Sequence, residues 1–443
     1  MNIDTSLVSL SDLITIKHGY AFKGEYFVEN KSTYQLVTPG NFAIGGGFQI
    51  KKEKFYDGPI HEEYVLKKND LVVTMTDLSK DGDTLGYSAL IPDTKDTIWL
   101  HNQRVGLVLI KEPANVDSIF LSYLMRTQNY RAHILSGATG STVKHTSPSK
   151  ICEYKIYLPT IDVQKKIASI LNSIDKKISS LKEINQTLEA IAQAIFKSWF
   201  VDFDPVHSKQ QSKECVGIDE VTADLFPDSF IESELGLIPK GWQVGKVSEL
   251  GEVICGKTPS TSDKENYDGN IPFITIPDMH NNIAITSTNR YLSKKGADSQ
   301  HKKYLRKGSI CVSCIATPGL VSKVTVDSQS NQQINSVVPD VKWGDDFVLF
   351  LLRSIGEAVK TAGSGGSIFH NLNTSNFREI KIVLPNAEIS TAFNQLASIY
   401  MEKIVSNQHQ IKTLIDLRDT LLPRLISGKI DLSNIEEPIE GIA

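Results

Sequence analysis

One pair of residues in this chain has the type and spacing of metal ligands. Cys311 and Cys314 form a single C-x-x-C, and such a pair binds zinc when two further ligands complete a tetrahedral site. No second cysteine pair follows. The run "SICVSC" also predicts a strand, which sends the two side chains to opposite faces. We therefore expect both cysteines to be buried apolar residues.

Three other segments carry residues found at catalytic or nucleotide sites. Asp202 and Asp204 are two positions apart, a spacing that suits turns and caps more often than paired-carboxylate catalysis. The glycine-rich 362–366 lacks the Gly-Lys-Ser/Thr ending that cradles phosphates, and 227–234 lacks the Glu-x-Lys of a nuclease. The chain also has no glycine-rich S-adenosylmethionine loop with an Asn-Pro-Pro-aromatic tetrapeptide. The sequence predicts that this chain is not itself an enzyme.

Two pairs of polar loops indicate a different chemistry, hydrogen bonding to nucleic acid. "HNQRV" and "SNQQIN" place amides beside predicted strands, and Asn, Gln and Arg pair bidentately with adenine or guanine edges. "KHTSPSK" and "HNLNTSN" each follow a glycine turn and supply groups for phosphates or bases. For any single residue, a solvated loop or a strand-capping amide remains the alternative. The candidate DNA-binding residues are Asn102, Gln103, Arg104, Lys144, His145, Lys150, Asn331, Gln332, Gln333, His370 and Asn371.

The loops occur in pairs because the chain repeats itself. Five blocks match in the same order at shifts that vary from about 239 to about 226 residues. The matched blocks are 11–19 with 248–256, 36–42 with 273–279, 66–74 with 305–313, 102–105 with 331–334, and 137–159 with 363–385. Within each copy, β-branched runs such as Leu71–Thr74 and Ile310–Ser313 predict strands, and 118–127 and 346–355 have helical apolar spacing. We predict a duplicated α+β fold.

A long heptad seam follows the first copy. Steps of four and three residues alternate along it without a break, which is the pattern of a coiled coil. The seam is Ile167, Leu171, Ile174, Ile178, Leu181, Asn185, Leu188, Ala192, Ile195 and Trp199. Asn185 falls at a core position, where an asparagine costs stability but can fix the register against a partner helix. About 40 residues of helix give a rod of about 60 Å.

A second, less regular seam follows the second copy and has two polar interruptions. It is Ala397, Tyr400, Ile404, Asn407, Ile411, Leu414, Arg418, Leu421 and Leu425. Neither helix alone buries its stripe, so an antiparallel pair within the chain is the simplest arrangement. The alternative is a core helix of an ordinary domain.

Charge and composition set further bounds. The net charge is -4 and the pI is about 6.2, so DNA contacts require locally basic faces. Five cysteines in 443 residues form no disulfide framework, and the sequence shows no secretion signal or membrane-length apolar run. We expect a soluble, cytoplasmic protein.

The order of these parts, with "LPTIDVQKKIASILNSIDKKI" (158–178), "AIFKSWFVDFDPV" (194–206) and "LRDTLLPRLISGKIDL" (417–432), resembles the specificity subunits of type I restriction-modification enzymes. The resemblance covers nearly the whole chain, and the last two segments are fairly specific to that family. It implies two target-recognition domains that each read one half of a split, asymmetric sequence on double-stranded DNA. The coiled coil is then expected to set the spacing.

The resemblance also implies partners and their cofactors. A specificity subunit is not catalytic; it assembles with two modification subunits, which bring S-adenosylmethionine and methylate adenine, and with restriction subunits that use ATP and Mg. No cofactor is expected in this chain. Trp199 and Phe200, aromatic candidates for an exposed surface at the end of the rod, are the predicted contact with the modification subunits. The alternative is a duplicated adaptor that binds proteins rather than DNA.

These patterns also give approximate boundaries for each part. They are 1–158 for the first recognition domain, 159–203 for the central coiled-coil helix, 204–235 for a linker, 236–385 for the second recognition domain, 386–430 for the distal coiled-coil helix and 431–443 for a C-terminal tail.

Overall fold

The computed structural model describes residues 6–50, 53–315, 317–361, 373–430 and 432. The chain forms two compact units, a first unit of Met1–Ile178 with Thr413–Ala443 and a second unit of Ser179–Lys412. Sheets and helices occur in both units, which confirms the α+β class predicted from the sequence.

The first unit contains two four-stranded sheets. Its strands are β1 (Ser6–Ser9), β2 (Ile14–His18), β3 (Phe27–Val28), β4 (Tyr34–Val37), β5 (Phe55–Tyr56), β6 (Leu71–Thr74), β7 (Thr76–Asp77), β8 (Ser88–Leu90), β9 (Ile98–His101), β10 (Val105–Ile110), β11 (Lys144–His145) and β12 (Lys155–Leu158). The sheet with the longer strands, which we call the larger sheet, has the antiparallel order β2-β10-β6-β8. The other, which we call the small sheet, has the order β3-β5-β4-β9, with β4 parallel to β9. β1 pairs with β12, and β7 pairs with β11.

Short helices cover the sheets of this unit, and a long helix follows them. The helices are α1 (Leu10–Leu13), α2 (Ser118–Leu124), α3 (Gln128–Ser136), α4 (Pro148–Cys152) and α5 (Ile161–Phe200). The core packs residues of the larger sheet, such as Val73 and Val108, against Leu121 and Ile134 of α2 and α3.

The second unit repeats this construction. Its elements are α6 (Asp204–Gln210), α7 (Glu220–Asp224), β13 (Phe230–Ser233), β14 (Gly236–Pro239), β15 (Gln243–Lys246), β16 (Gly251–Cys255), β17 (Tyr267–Ile274), α8 (Ile276–Met279), β18 (Ala284–Ile285), β19 (Tyr291–Leu292), α9 (Lys294–Asp298), β20 (Ile310–Ser313), β21 (Val321–Val324), β22 (Gln329–Ser330), β23 (Ile334–Pro339), α10 (Asp345–Thr361), α11 (Thr374–Arg378), β24 (Lys381–Leu384) and α12 (Ala387–Ile426).

The order of strands confirms the duplication. The sheet β16-β23-β20-β21-β18 corresponds to β2-β10-β6-β8 with one added strand, and the small sheet β19-β17-β22 corresponds to β5-β4-β9. The parallel pair recurs as well, since β17 runs parallel to β22 as β4 does to β9. β15 pairs with β24 as β1 does with β12.

The buried strand β20 and the residue that follows it place the two cysteines as predicted. Cys311 and Cys314 pack in different hydrophobic clusters on opposite faces of the sheet. Burial raises the pKa of the Cys311 thiol to about 12, and it raises the pKa of Cys314 as well. Both thiols therefore stay protonated at neutral pH, as apolar core residues do.

The two long helices α5 and α12 each contribute residues to both units, because the unit boundaries fall within them, after Ile178 in α5 and after Lys412 in α12. They pair antiparallel, and the pairing is visible within each unit. In the first unit, Asp175 of α5 contacts Arg418 of α12. In the second unit, Phe196 of α5 meets Phe393 of α12 with ring centroids 5.3 Å apart. Within the second unit, Asn185 of α5 also contacts Ile404 of α12. Residue numbers therefore rise along α5 as they fall along α12, which confirms the antiparallel coiled coil.

The seam residues line these helix contacts. The buried ones are Ile167, Leu171, Ile178, Leu181, Ala192, Trp199, Ala397, Ile404, Asn407 and Leu425, and the half-buried ones are Ile174, Asn185, Leu188, Ile195, Tyr400, Ile411, Leu414, Arg418 and Leu421. At two places along α12 the neighbouring residue is buried more fully than the predicted one: Met401 and Leu422 are buried beside the predicted seam residues Tyr400 and Leu421.

The segment 204–220 differs from the irregular linker that its polarity predicts. It begins with the helix α6, because Phe203 adopts a left-handed conformation (φ 54°) and Pro205 occupies the first turn, where its missing N–H costs nothing. Val206 of this helix is fully buried in the core of the second unit. The segment therefore belongs to the second unit and does not act as a free linker.

Candidate nucleic-acid interface

A tight polar turn follows the small sheet of the first unit. It connects β9 to β10 through Asn102, Gln103 and Arg104. The side-chain oxygen Oδ1 of Asn102 accepts a hydrogen bond from the backbone N–H of Arg104 at 3.1 Å, as in an Asx turn. Asn102 is therefore buried and committed to its own backbone, whereas the side chains of Gln103 and Arg104 are exposed.

Gly19, the residue that follows β2, lets the backbone of residues 19–20 pack directly against this turn. Tyr20 N–H donates to His101 O at 2.8 Å, and Gln103 N–H donates to Tyr20 O at 3.0 Å. A Cβ on the preceding Gly19 would lie 2.3 Å from Asn102 O. Only glycine allows the two backbone segments to approach this closely.

The second unit builds the same turn from Asn331, Gln332 and Gln333. Asn331 Oδ1 accepts from the backbone N–H of Gln333 at 3.1 Å. A Cβ on Gly256 would lie 2.2 Å from Asn331 O, and Lys257 N–H donates to Ser330 O at 2.9 Å. We call 102–104 and 331–333 the asparagine turns; glycine, asparagine and an exposed glutamine take the same places in both.

The two turns differ in the side chains beyond these shared residues. In the second unit, Thr258 Oγ1 donates to Gln332 Oε1 at 2.6 Å, which orients the exposed amide. Asn331 Nδ2 donates to Gln333 Oε1 at 3.0 Å, whereas the first unit has the cation Arg104 at that place. The first turn thus offers a guanidinium and an amide, and the second offers amides alone.

His101, at the end of β9, supports the first turn without adding charge. Burial lowers its pKa to about 4, and the nearby Lys17 and His18 oppose its protonation. Its Nε2 lies 2.8 Å from Val105 O; because a carbonyl only accepts, Nε2 carries the proton. His101 is therefore neutral at pH 7.

The glycine-turn loop of the first unit lies beside a short strand pair. Lys144 and His145 form β11 opposite Thr76 and Asp77 of β7, and His145 Nδ1 lies 3.2 Å from Thr76 Oγ1. Lys150 lies in α4, where its ammonium is 3.8 Å from Glu153. Of these three predicted residues, His145 is exposed and the lysines are half-buried. The corresponding His370 and Asn371 lie outside the described residues.

The predicted exposure of Trp199 and Phe200 is wrong. They are 5% and 7% exposed and belong to the core of the second unit. Trp199 packs edge-on against Phe226, and Phe200 packs against Trp242. The segment between α5 and β15 folds back over the helix end, so these rings stabilise the unit and offer no surface.

Within the helix pair, both polar seam positions of α12 meet polar groups of α5. In the second unit, Asn407 Nδ2 donates to Asn185 Oδ1 at 2.8 Å, and Asn185 Nδ2 reaches Ile404 O at 3.4 Å. The two asparagines that interrupt the seams thus lie at the same level. Such a pair favours one register, since any slip leaves both amides against apolar residues.

In the first unit, Arg418 meets a carboxylate that the sequence analysis did not single out. Asp175 accepts from Arg418 at 2.8 Å, from Arg126 at 3.0 Å and from the Tyr123 hydroxyl at 2.8 Å. Burial opposes ionisation, but the charge of Arg126 and the hydrogen bond and charge of Arg418 hold the pKa of Asp175 below its usual value. This cluster ties α2 to both long helices.

The described residues contain neither a metal-binding cluster nor a membrane-spanning helix. No group of three or more His, Cys, Asp or Glu side chains there is arranged to hold a metal ion. None of the helices within the described ranges combines the length and hydropathy of a membrane span.

Two α+β units of one construction, each with a clamped polar turn and a share of an antiparallel helix pair, define a duplicated recognition protein. A family model described as the type I restriction modification DNA specificity domain matches residues 2–190 and 239–421. Because the two matches cover most of the chain, this protein belongs to that family.

Two relatives agree with this assignment, and one solved structure has the same fold. The type I restriction enzyme HindI specificity subunit of Haemophilus influenzae is 37% identical over 400 residues, covering 79% of this chain and 87% of the relative. The MjaIX specificity subunit of Methanocaldococcus jannaschii is 26% identical, covering 79% and 76%. The crystal structure of the S subunit from M. genitalium, 17% identical, covers 96% of both chains with a TM-score of 0.55 and shares the fold. The comparisons give no support to the adaptor alternative.

Proposed function

We propose that this chain is the non-catalytic specificity subunit of a cytoplasmic type I restriction-modification complex. Each unit reads one half of a split, asymmetric target on double-stranded DNA, and the antiparallel helix pair sets the spacing between the halves. Two modification subunits that bind S-adenosylmethionine dock on the chain and methylate adenine, and restriction subunits supply ATP- and Mg-dependent cleavage. The observation that carries the proposal is the recurrence of the asparagine turn in both units.

The geometry supports different roles for the asparagine and the glutamine of each turn. The asparagine holds the backbone, because its amide oxygen is used by the N–H two residues on. The exposed Gln103 and Gln332 then offer amides at the tip, where each can pair with the N6 and N7 atoms of an adenine. Arg104 is suited to the O6 and N7 of a guanine. His145 and Lys144 offer further contacts to phosphate or base.

The experiment is long-read sequencing of adenine methylation in cells that express this chain with its modification subunit. Cells that express the modification subunit alone are the control. A split motif that occurs only with this chain is the expected result and gives both half-sites and the spacer together. If a complex that assembles and binds S-adenosylmethionine yields no new motif, the proposed function is wrong.

Matched substitutions assign each half-site to a unit. Gln103→Ala is expected to relax one half of the motif and leave the other unchanged, whereas Gln332→Ala does the reverse. A bidentate contact contributes about 1–3 kcal/mol of discrimination, so the methylated fraction at mismatched sites should rise severalfold. If either variant alters both halves or neither, that glutamine does not read bases.

A further inference from the structure

A cation lies on the face of an aromatic ring at the same place in both units. In the first unit, Lys54 Nζ is 3.7 Å from the ring centroid of Phe27. In the second unit, the guanidinium carbon of Arg290 is 4.9 Å from the ring centroid of Tyr267. The two cations directly precede β5 and β19, the corresponding strands of the small sheets.

Backbone hydrogen bonds show that these positions are equivalent. Lys54 O accepts from Leu36 N–H at 2.9 Å, and Arg290 O accepts from Phe273 N–H at 3.0 Å. The two strands that donate these hydrogen bonds, β4 and β17, are those that run parallel to the strand before each asparagine turn. Neither pair lies in the five repeated blocks of the sequence, and the residue types differ.

The rings occupy equivalent places too. Phe27 lies opposite Tyr56, the second residue of β5, and Tyr267 lies opposite Leu292, the second residue of β19. Each cation therefore packs on the ring that the neighbouring strand supplies. A cation held over a ring face is fixed in direction while its charge stays available.

Both cations are exposed, and neither lies within ion-pair distance of a carboxylate among the described residues. Burial and the positive charge of Arg104 lower the pKa of Lys54, so two cations of the first unit lie near each other and near the asparagine turn. Some surface lysines, in contrast, have counter-ions, as Lys68 does with Asp93 at 2.6 Å.

We infer that Lys54 and Arg290 each bind a phosphate of the DNA backbone beside the asparagine turn of their unit. The inference rests on the proposed function and adds a role to it. A cation retained in both units, while the asymmetric target demands different base contacts, fits the part of DNA that is the same at both half-sites. Phosphate contacts position a protein on the duplex and carry no sequence information.

The test measures binding of random-sequence duplex DNA to the complex of this chain with its modification subunit, at several salt concentrations. Each phosphate contact contributes about 0.9 to the slope of log affinity against log salt. Lys54→Met and Arg290→Met are each expected to lower the slope by about 0.9, and the double variant by about twice that. Lys68→Met and Lys294→Met remove the same charge from lysines that already have carboxylate partners, and they should leave the slope unchanged.

Two further measurements separate the possible failures. Lys54→Arg and Arg290→Lys should keep the wild-type slope, and the methylated motif should be the same in every variant that folds. If the wild-type complex binds DNA with a salt-dependent affinity but the Met variants keep its slope, or if their motif changes, the phosphate assignment is wrong and the proposed function stands. A wild-type complex without salt-dependent DNA affinity overturns both.

Discussion

Substitution of the asparagine pair tests whether polar contacts fix the register of the helices. Asn407 is fully buried, and its amide nitrogen donates to Asn185, which is only half-buried. In Asn185→Leu the amide of Asn407 loses this partner in a dry seam, and an unsatisfied buried group costs about 1–3 kcal/mol. Asn407→Leu leaves Asn185 within reach of water, so its cost is expected to be under about 1 kcal/mol.

The double variant has a different outcome because it removes both amides together. The oxygen Oδ1 of Asn407 already lacks a partner in the described structure, so replacing both residues by leucine also removes that penalty. We expect the double variant to be at least as stable as the wild type. The two single effects should then fail to add by about 1–3 kcal/mol.

The assay is chemical unfolding of the four proteins followed by far-UV circular dichroism, which reports the long helices. Because a chain of two units need not unfold in one step, the comparison uses the midpoint of the transition that includes the helix signal. Additivity of the single effects to within about 0.5 kcal/mol would refute the coupling. A second readout is the spacer of the methylated motif, which should become heterogeneous only in the double variant.

Three other changes give further expected outcomes. Asp175→Asn leaves Arg126 and Arg418 facing a neutral amide and should lower the free energy of unfolding by about 3–5 kcal/mol at neutral pH. The lowered pKa of Asp175 gives stability that is present above about pH 4 and is lost as pH falls through the folded-state pKa. The stability of the variant should therefore depend less on pH in an acid-unfolding curve. Trp199→Ala should lower the free energy of unfolding by about 3–5 kcal/mol in a thermal or chemical melt, whereas retained stability with lost assembly would restore the subunit-contact hypothesis. Gly19→Ala and Gly256→Ala place a Cβ 2.3 Å and 2.2 Å from a backbone oxygen, so each should abolish recognition of one half-site, as read by methylation sequencing, without changing the other.

The sequence predicted the elements that local patterns specify. Leu71–Thr74 and Ile310–Ser313 are strands with the predicted bounds, because short β-branched runs between turn residues have few other stable conformations. The burial of Trp199 could not be predicted from local patterns. An aromatic residue at a helix end is equally compatible with a core and with an interface. The segment between α5 and β15 buries Trp199 with a few large apolar residues, and the polar composition around them predicted a linker instead.

The polar seam contacts also required the structure. Arg418 and Asn407 read as interruptions of a helix stripe, and only the register of the opposing helix shows that each has a partner. Asp175 lies beside the seam position Ile174, so heptad counting passes over it. Its role depends on Arg126 from a different element, and no pattern within the helix sequence encodes that contact.

Comparison of the two units gives a physical criterion for separating phosphate contacts from base contacts. Under the proposed function, the half-sites share a phosphate backbone and an adenine to be methylated but differ in their other bases, so contacts to phosphate and to that adenine should be retained in both units and the other base contacts should diverge. The glycine, the asparagine, the exposed glutamine and the ring-bound cation are retained. Tyr20 is replaced by Lys257 beside the asparagine turns, and Arg104 is replaced by Gln333 within them. On this argument Arg104 and Gln333 should distinguish the two half-sites, and exchanging them between the units should alter the motif more than exchanging Lys54 and Arg290.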